Sequence, residues 1–204
     1  MTVGQVIELA KVSEMNGLKI GDNTTSVLGF LNLGVLELYK RFSLKIEEYV
    51  ITLQDMVDIY TMPANYMWIV AAYGEVDIRS TETVNELPIN EEDNPLSINT
   101  VGWNKVQVPV SISGAYVSII YVARPEMYEL ADLDVEIDLP PQMIEPLLAY
   151  IGYRANATID SGVQSEDNAW YIRFDSSCNR IRQESMINSD DMFMNSRINK
   201  RGFV

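Results

Sequence analysis

The sequence contains no histidine, a single cysteine and no long apolar run. The lack of histidine removes the commonest general base, the usual triad partner and the commonest zinc ligand, so an enzyme is not expected. Because Cys178 is the only cysteine, an intrachain disulfide is excluded, which suits assembly in a reducing cytoplasm. No apolar run approaches the roughly 18 residues needed to span a bilayer, so no membrane partner is expected.

Basic residues are also few. The chain has 15 Lys and Arg against 29 Asp and Glu, which gives a formal net charge of −14. A surface that holds DNA phosphates through many cationic contacts is therefore not expected. There is no glycine-rich phosphate loop, and no cofactor or metal is predicted. With 204 residues, the chain can form one domain with a sizeable core, or one domain that carries an insertion.

Apolar residues at helical spacing predict four helices. The first follows Thr2 as its N-cap, and the second runs from residues 23–26 to about Ser43, with Arg41 in the last turn, where the helix dipole favours cations. The third begins at the double proline 140–141 and contains Pro146. The last extends over about residues 166–185.

The middle of the chain predicts strands. IEEYVITLQ is rich in β-branched residues, and residues 66–73 form an apolar run after a turn at Pro63. An acidic, exposed excursion is expected from Gly74 to about Asn104. KVQVPVSISGAYVSIIYVARP predicts a hairpin that turns at Gly114, and LADLDVEIDLPP alternates as a further strand.

The expected fold class is therefore α+β: a helical bundle formed by the N- and C-terminal helices, a central antiparallel β region and an extended C-terminal arm. The expected domains are a helical core over 1–73 and 126–190, a β-rich insertion over 74–125 and an arm over 191–204.

Few residues offer chemistry. The sharpest signal is four carboxylates on one predicted strand face, which could serve a metal-dependent hydrolase, but same-face residues on a strand spread about 7 Å apart rather than converge. These are Asp132, Asp134, Glu136 and Asp138. Cys178 lies on an apolar helix face and is expected in the core. Trp68, Trp103 and Trp170 are expected as core or interface anchors rather than as a platform for nucleic-acid bases.

The order of these elements resembles that of the head–tail adaptor, or connector, proteins of tailed bacteriophages. In that family a Leu-Pro or Met-Pro turn precedes a strand, and a second Leu-Pro opens an inward-packing helix that ends in an aromatic and alanine-rich segment. The corresponding features here are Met62-Pro63, Leu139-Pro140 and residues 150–157.

The resemblance implies a structural virion protein without enzymatic activity. Such a protein forms a ring, typically of twelve subunits, at the virion neck, after assembly in the host cytoplasm. The ring docks beneath the portal protein, provides the attachment site for a downstream neck or tail protein, and lets double-stranded DNA pass without sequence-specific binding. The alternatives are another neck or tail component, such as a stopper or tail-completion protein, and the carboxylate-based hydrolase.

Two sets of interface residues are expected. The tail is locally basic with apolar anchors, and adaptor C-termini in the family often extend to the portal, so its candidates for portal contact are Arg197, Ile198, Lys200, Arg201, Phe203 and Val204. The candidates for contact between subunits lie on the last two helices and are Tyr150, Tyr153, Arg154 and Trp170.

Overall fold

A computed structural model describes residues 1–75, 85–109, 112, 115–157 and 169–184. The described chain forms two compact units. The helical unit contains Met1–Phe42 and the described residues from Pro125 onward, and the β unit contains Ser43–Arg124. The α+β class is confirmed, whereas the segment 191–204, expected as an arm, lies outside the described residues. Within the described ranges no helix is long and apolar enough to cross a membrane.

The described part of the helical unit contains four α-helices. They are α1 (Val3–Val12), α2 (Thr24–Phe42), α3 (Ile144–Ala157) and α4 (Ala169–Gln183). Short 3-10 turns occupy Lys19–Asp22, Leu130–Asp132 and Pro141–Met143. Helix α3 packs against the other three helices, and the apolar faces bury a common core. Its largest fully buried side chains include Ile7, Leu31, Leu38, Leu147, Ile151, Phe174 and Ile181.

Helix α1 begins where its sequence predicts, and a segment distant in the chain also accepts hydrogen bonds from its first turn. Thr2 accepts a hydrogen bond from the Gln5 backbone N–H, and Gln5 accepts one from the Thr2 N–H, which completes a capping box. The N–H groups of Val3 and Gly4 donate to the carbonyls of Val135 and Leu133, at 2.9 and 2.8 Å. All these first-turn donors therefore have partners, which an isolated helix cannot provide.

Prolines fit the start of α3. Pro141 opens the 3-10 turn that leads into the helix, and Pro146 is the third residue of α3. Because the first-turn N–H groups of a helix have no intrahelical acceptor, a proline there removes no hydrogen bond. Pro146 can accordingly be buried without breaking the helix.

In its described residues, the β unit contains seven strands in two antiparallel sheets. The strands are β1 (Ile46–Thr52), β2 (Ile59–Thr61), β3 (Tyr66–Glu75), β4 (Asn85–Leu87), β5 (Asn99–Gly102), β6 (Lys105–Gln107) and β7 (Tyr116–Ala123). One sheet has the order β1-β7-β3-β4 and the other β2-β6-β5. Strand β7 is buried along nearly its whole length because it has neighbours on both sides. The turn predicted at Pro63 is present, since its carbonyl accepts from the Tyr66 N–H at 3.0 Å.

Three local predictions were wrong. Strands β6 and β7 form no hairpin, because β6 pairs with β2 and β5 whereas β7 pairs with β1 and β3. Pro109, which has no N–H for a ladder, follows β6 closely. The acidic excursion is not simply exposed, because Leu87 and Ile98 belong to the core of the β unit.

The third wrong prediction is the strand over LADLDVEIDLPP. That segment contains the 3-10 turn Leu130–Asp132 and one isolated bridge, between Glu136 and Thr2. Its carbonyls accept hydrogen bonds from the start of α1 instead of from a neighbouring strand. The alternation of apolar and acidic residues therefore did not lead to a β-ladder.

The division into units also differs from the expected one. Residues 43–73, which we expected with the helices, belong to the β unit, because β1 and β3 pair with β7. The helical unit is thus built from both ends of the described chain, and the β unit is one continuous segment between them.

Candidate subunit interface on the helical unit

Aromatic rings from α3 and α4 form a cluster on the helical unit. Tyr150 contacts Tyr153 and Phe174, with ring centroids 5.9 and 5.2 Å apart, and Tyr153 contacts Tyr171 at 5.3 Å. The rings are tilted or edge-on, the arrangement that favours contact between a ring edge and a ring face. The structure therefore brings two of the expected interface residues together, and it uses them to hold α3 against α4.

Arg41, at the end of α2, completes this aromatic cluster. Its guanidinium carbon lies 4.5 Å from the centre of the Phe174 ring, and its Nη1 donates to Asp175 at 2.6 Å. Nε donates to Glu37 and Nη2 to the Tyr171 hydroxyl, both at 3.2 Å. Burial opposes the charged form, but the hydrogen bonds to Asp175 and Glu37 leave the pKa of Arg41 above its ordinary value. Arg41 thus ties α2 to α4 as a permanent cation.

The outer part of the aromatic cluster remains accessible. Tyr150, Tyr153 and Arg154 are each half-buried. Burial raises the pKa of the Tyr150 hydroxyl, although the Arg154 guanidinium opposes part of that effect. These side chains can contact a partner with the surface they still expose, and their buried surface already stabilises the subunit itself.

Trp170 lies at a separate, tight junction. A Cβ on Gly152 would meet the Trp170 ring and the Glu14 Cβ at 3.2 Å, so glycine allows this close approach. Glu14 is buried and pairs with Arg173 at 3.3 Å, and the Arg173 guanidinium lies 5.7 Å from the Trp170 ring centre. Trp170 is half-buried. It anchors α4 within the unit and leaves one part of its ring at the surface.

The four carboxylates of residues 132–138 have separate local contacts. Asp132 accepts from the Glu129 N–H at 2.7 Å, and Asp138 accepts from the Tyr39 hydroxyl at 2.7 Å. Burial and this carboxylate raise the pKa of Tyr39 well above its ordinary value. Asp134 and Glu136 are exposed. Over the described ranges, no group of three or more potential ligands is arranged to hold a metal ion.

Cys178 is fully buried in α4. Burial raises the pKa of its thiol from the ordinary value of 9.0 to about 11. A thiol that keeps its proton at neutral pH is a poor nucleophile. Cys178 is therefore a core residue, as its position on the apolar face of the helix predicts.

Several contacts have no clear signal in the sequence. Arg41 and Glu37 show helical i, i+4 spacing, which alone predicts a weak surface pair. The long-range partner Asp175 and the contact of Arg182 with the Arg41 carbonyl, at 2.8 Å, depend on how α2 and α4 pack. The portal-contact candidates Arg197, Ile198, Lys200, Arg201, Phe203 and Val204 lie outside the described residues.

Comparison with known proteins identifies the family. The profile of the SU10 adaptor protein family matches residues 1–199. No curated protein matches the sequence significantly. Among solved structures, the chain is similar to one in the neck of an empty GTA particle computed with C6 symmetry, at 13% identity and a TM-score of 0.30. That match covers 85% of this chain and 91% of the other, but at this TM-score it supports no inference. Because the family profile spans nearly the whole sequence, the resemblance to head–tail adaptors is confirmed, and the chain belongs to the SU10 adaptor family.

Proposed function

We propose that the protein is a structural component of the virion neck that joins head to tail and has no catalytic role. It forms a ring, with twelve subunits as the expected number, beneath the portal, continues the DNA channel and offers the attachment site for the next neck or tail protein. The observation that carries this proposal is the match of the SU10 adaptor family to residues 1–199.

The charge distribution supports a channel through which DNA slides. The net charge is −14, and several cations already have acidic partners within their own unit. These cations are Lys11, Arg41, Lys45, Arg173 and Arg180. A cation already paired with a carboxylate releases fewer counterions when it meets a phosphate, so it binds DNA weakly. A duplex inside such a ring would meet little resistance to movement.

A closed ring needs two different side surfaces on each subunit, because its contacts are heterologous. We propose that the accessible parts of Tyr150, Tyr153, Arg154 and Trp170 belong to one of them. Half-buried aromatic side chains suit this role, since they have already lost conformational freedom within the subunit and bring large apolar area to a contact.

Ring formation is tested by native mass spectrometry together with electron microscopy of the purified chain. An adaptor should give a closed ring with a mass twelve times the 23.1 kDa of the chain. In intact particles, the protein should be found between the portal and the tail. A protein found only at the distal end of the neck would instead be a stopper or tail-completion protein.

Portal attachment is tested separately through the basic tail. Residues 195–204 contain Arg197, Lys200 and Arg201 and no acidic residue. A short arm that orders only on docking would lose its conformational entropy at that step, which makes assembly sequential. Truncation after Met194 should leave the circular dichroism spectrum unchanged and abolish capture by the purified portal ring. Unchanged portal affinity would remove the arm from the proposal.

A further inference from the structure

The β unit carries an exposed aromatic side chain at one end of its smaller sheet. Strands β5 and β6 join through a tight turn, with Gly102 opposite Lys105. Trp103 in this turn is 74% exposed, and the preceding Val101 is 48% exposed. The Asn104 carbonyl accepts from the Met62 N–H at 2.8 Å, which fixes the turn against the end of β2. We call residues 101–105 the Trp103 tip.

A pocket lies at the other end of the same sheet. It has a volume of about 170 Å³ and a mixed lining, in which polar groups supply most of the accessible surface. Its polar side chains are Gln54, Asp55 and Tyr60, and its apolar ones are Leu53, Met56, Val57, Val108, Pro109 and Ile112. The Tyr60 hydroxyl accepts from the Gln54 N–H at 2.9 Å and donates to the Val57 carbonyl at 3.0 Å, so the loop that forms the rim is held in place. We call this the Tyr60 pocket.

The Trp103 tip cannot fill the Tyr60 pocket of its own chain. Strand β6 runs from the tip to the pocket, and Val108 beyond its end donates to the Asp58 carbonyl at 2.7 Å. Five residues of extended chain from Trp103 to Val108 span about 16 Å, more than one side chain can reach. An exposed aromatic side chain and a pocket that can receive it, at different places on one molecule, can form a heterologous contact between copies.

The size, polarity and charge of the Tyr60 pocket all suit the Trp103 tip of a second copy of this chain. A cavity of about 150 Å³ holds one benzene ring, so the Tyr60 pocket, at about 170 Å³, has room for the six-membered ring of the indole. An inserted indole N–H needs an acceptor, and Asp55 lines the pocket. Lys105 is exposed beside Trp103, and Asp55 is exposed at the pocket; within the described ranges neither residue has an ion pair. Docking would therefore bring opposite charges together.

We propose that Trp103 of one subunit inserts into the Tyr60 pocket of the next subunit, with Lys105 facing Asp55 across the contact. This inference rests on the proposed ring and identifies one of its heterologous contacts. Each subunit then contributes a tip to one neighbour and a pocket to the other, so the contact repeats around the ring.

The first test is Trp103→Ala in the full-length chain, with oligomer mass followed by analytical ultracentrifugation over a range of concentrations. A central tryptophan in an interface should weaken association roughly 30-fold or more when truncated. The matched control is Leu130→Ala, because Leu130 is 52% exposed and lies outside this contact and outside α3 and α4. Its association should equal that of the wild type. Since both side chains are exposed, neither substitution should unfold the subunit.

A charge exchange tests the partner surface directly. Asp55→Lys and Lys105→Asp should each weaken association, because each creates like charges across the contact. The double variant should regain most of the lost affinity. Rescue of this kind is not expected if either substitution merely distorts the subunit.

The outcomes separate this contact from the adaptor function. If the wild type forms rings and Trp103→Ala forms them equally well, the contact is wrong and the proposed function stands. If the wild type forms no oligomer at any concentration, both the contact and the proposed ring are wrong. If truncation after Met194 leaves the oligomer mass unchanged and yet exposes Trp103 to acrylamide, as judged against Trp103→Ala, the chain's own tail covers Trp103 and the inference is overturned.

Discussion

Replacement of Arg41 by alanine should destabilise the helical unit, because it removes the contacts that join α2 to α4. The side chain is 18% exposed, and it reaches Asp175, Glu37 and the Tyr171 hydroxyl while it covers the Phe174 ring. Removal leaves both carboxylates and the hydroxyl without this donor and exposes part of the buried Phe174 ring. The loss is shared by α2 and α4, the two helices that Arg41 joins.

The expected magnitude follows from these contacts. Hydrogen bonds to charged groups contribute about 1.5–3 kcal/mol, and a partly desolvated cation–π contact contributes about 0.5–2 kcal/mol. Asp175 is 45% exposed, so solvent screening reduces the contribution of that ion pair. We therefore expect Arg41→Ala to lower the free energy of unfolding by about 2–3 kcal/mol. Arg41→Lys keeps the charge but loses the planar fork, and should cost about 1–2 kcal/mol.

Urea unfolding followed by circular dichroism at the helix band measures this loss, because the helices lie in one unit. The matched control is Arg180→Ala. Arg180 pairs with Glu145 at 2.5 Å, but the two side chains are 54% and 43% exposed, so its loss should cost at most about 0.5 kcal/mol. If the two alanine variants unfold at the same urea concentration, Arg41 does not join α2 to α4 as described.

Three further predictions concern the helical unit. Gly152→Ala should lower the free energy of unfolding by about 1–2 kcal/mol, because the new Cβ would press on the Trp170 ring. Gly29→Ala should instead raise the free energy of unfolding by about 0.5–1 kcal/mol, because a Cβ there meets no atom within 4 Å and alanine favours the helix. Urea unfolding of the two variants measures both changes. The thiol of Cys178 should resist a maleimide until the chain unfolds. The pKa of this thiol is about 11 in the folded chain and 9.0 ordinarily, so the unfolded chain loses the thiol proton at lower pH. The free energy of unfolding should therefore fall as pH rises from about 9 to about 11. The difference in this pH dependence between the wild type and Cys178→Ala gives the contribution of the thiol. Thr2→Ala should remove about 1 kcal/mol through loss of the cap, measured by thermal unfolding.

Local patterns predicted the helices well. The N-cap at Thr2 and the helix Thr24–Phe42 depend on residues within a few positions of each other, and those positions are visible in the sequence. The prolines before α3 acted as expected for the same reason. Strand β3 was also found, because an apolar run of this length after a proline turn has few other structures available.

Pairing between distant segments could not be predicted in this way. The segment after Leu130 shows the alternation of a strand, yet its carbonyls accept from Val3 and Gly4, more than a hundred residues away in the chain. Strand β7 follows β6 in sequence but pairs with β1 and β3. Alternation indicates which faces are apolar, and it carries no information on which neighbour will supply the hydrogen bonds.

The same limit applies to the aromatic residues. Tyr150, Tyr153 and Trp170 were expected at a subunit contact because they are large and lie on amphipathic helices, and in the structure much of their surface is used within the subunit. Trp103 had no helical stripe to distinguish it, yet it is the side chain that remains 74% exposed. Composition shows which residues can stabilise a contact, but only the fold shows which of them have already been used. For an assembly protein, the decisive residues are therefore the apolar ones that folding leaves uncovered, and here the β unit rather than the helices supplies the clearest of them.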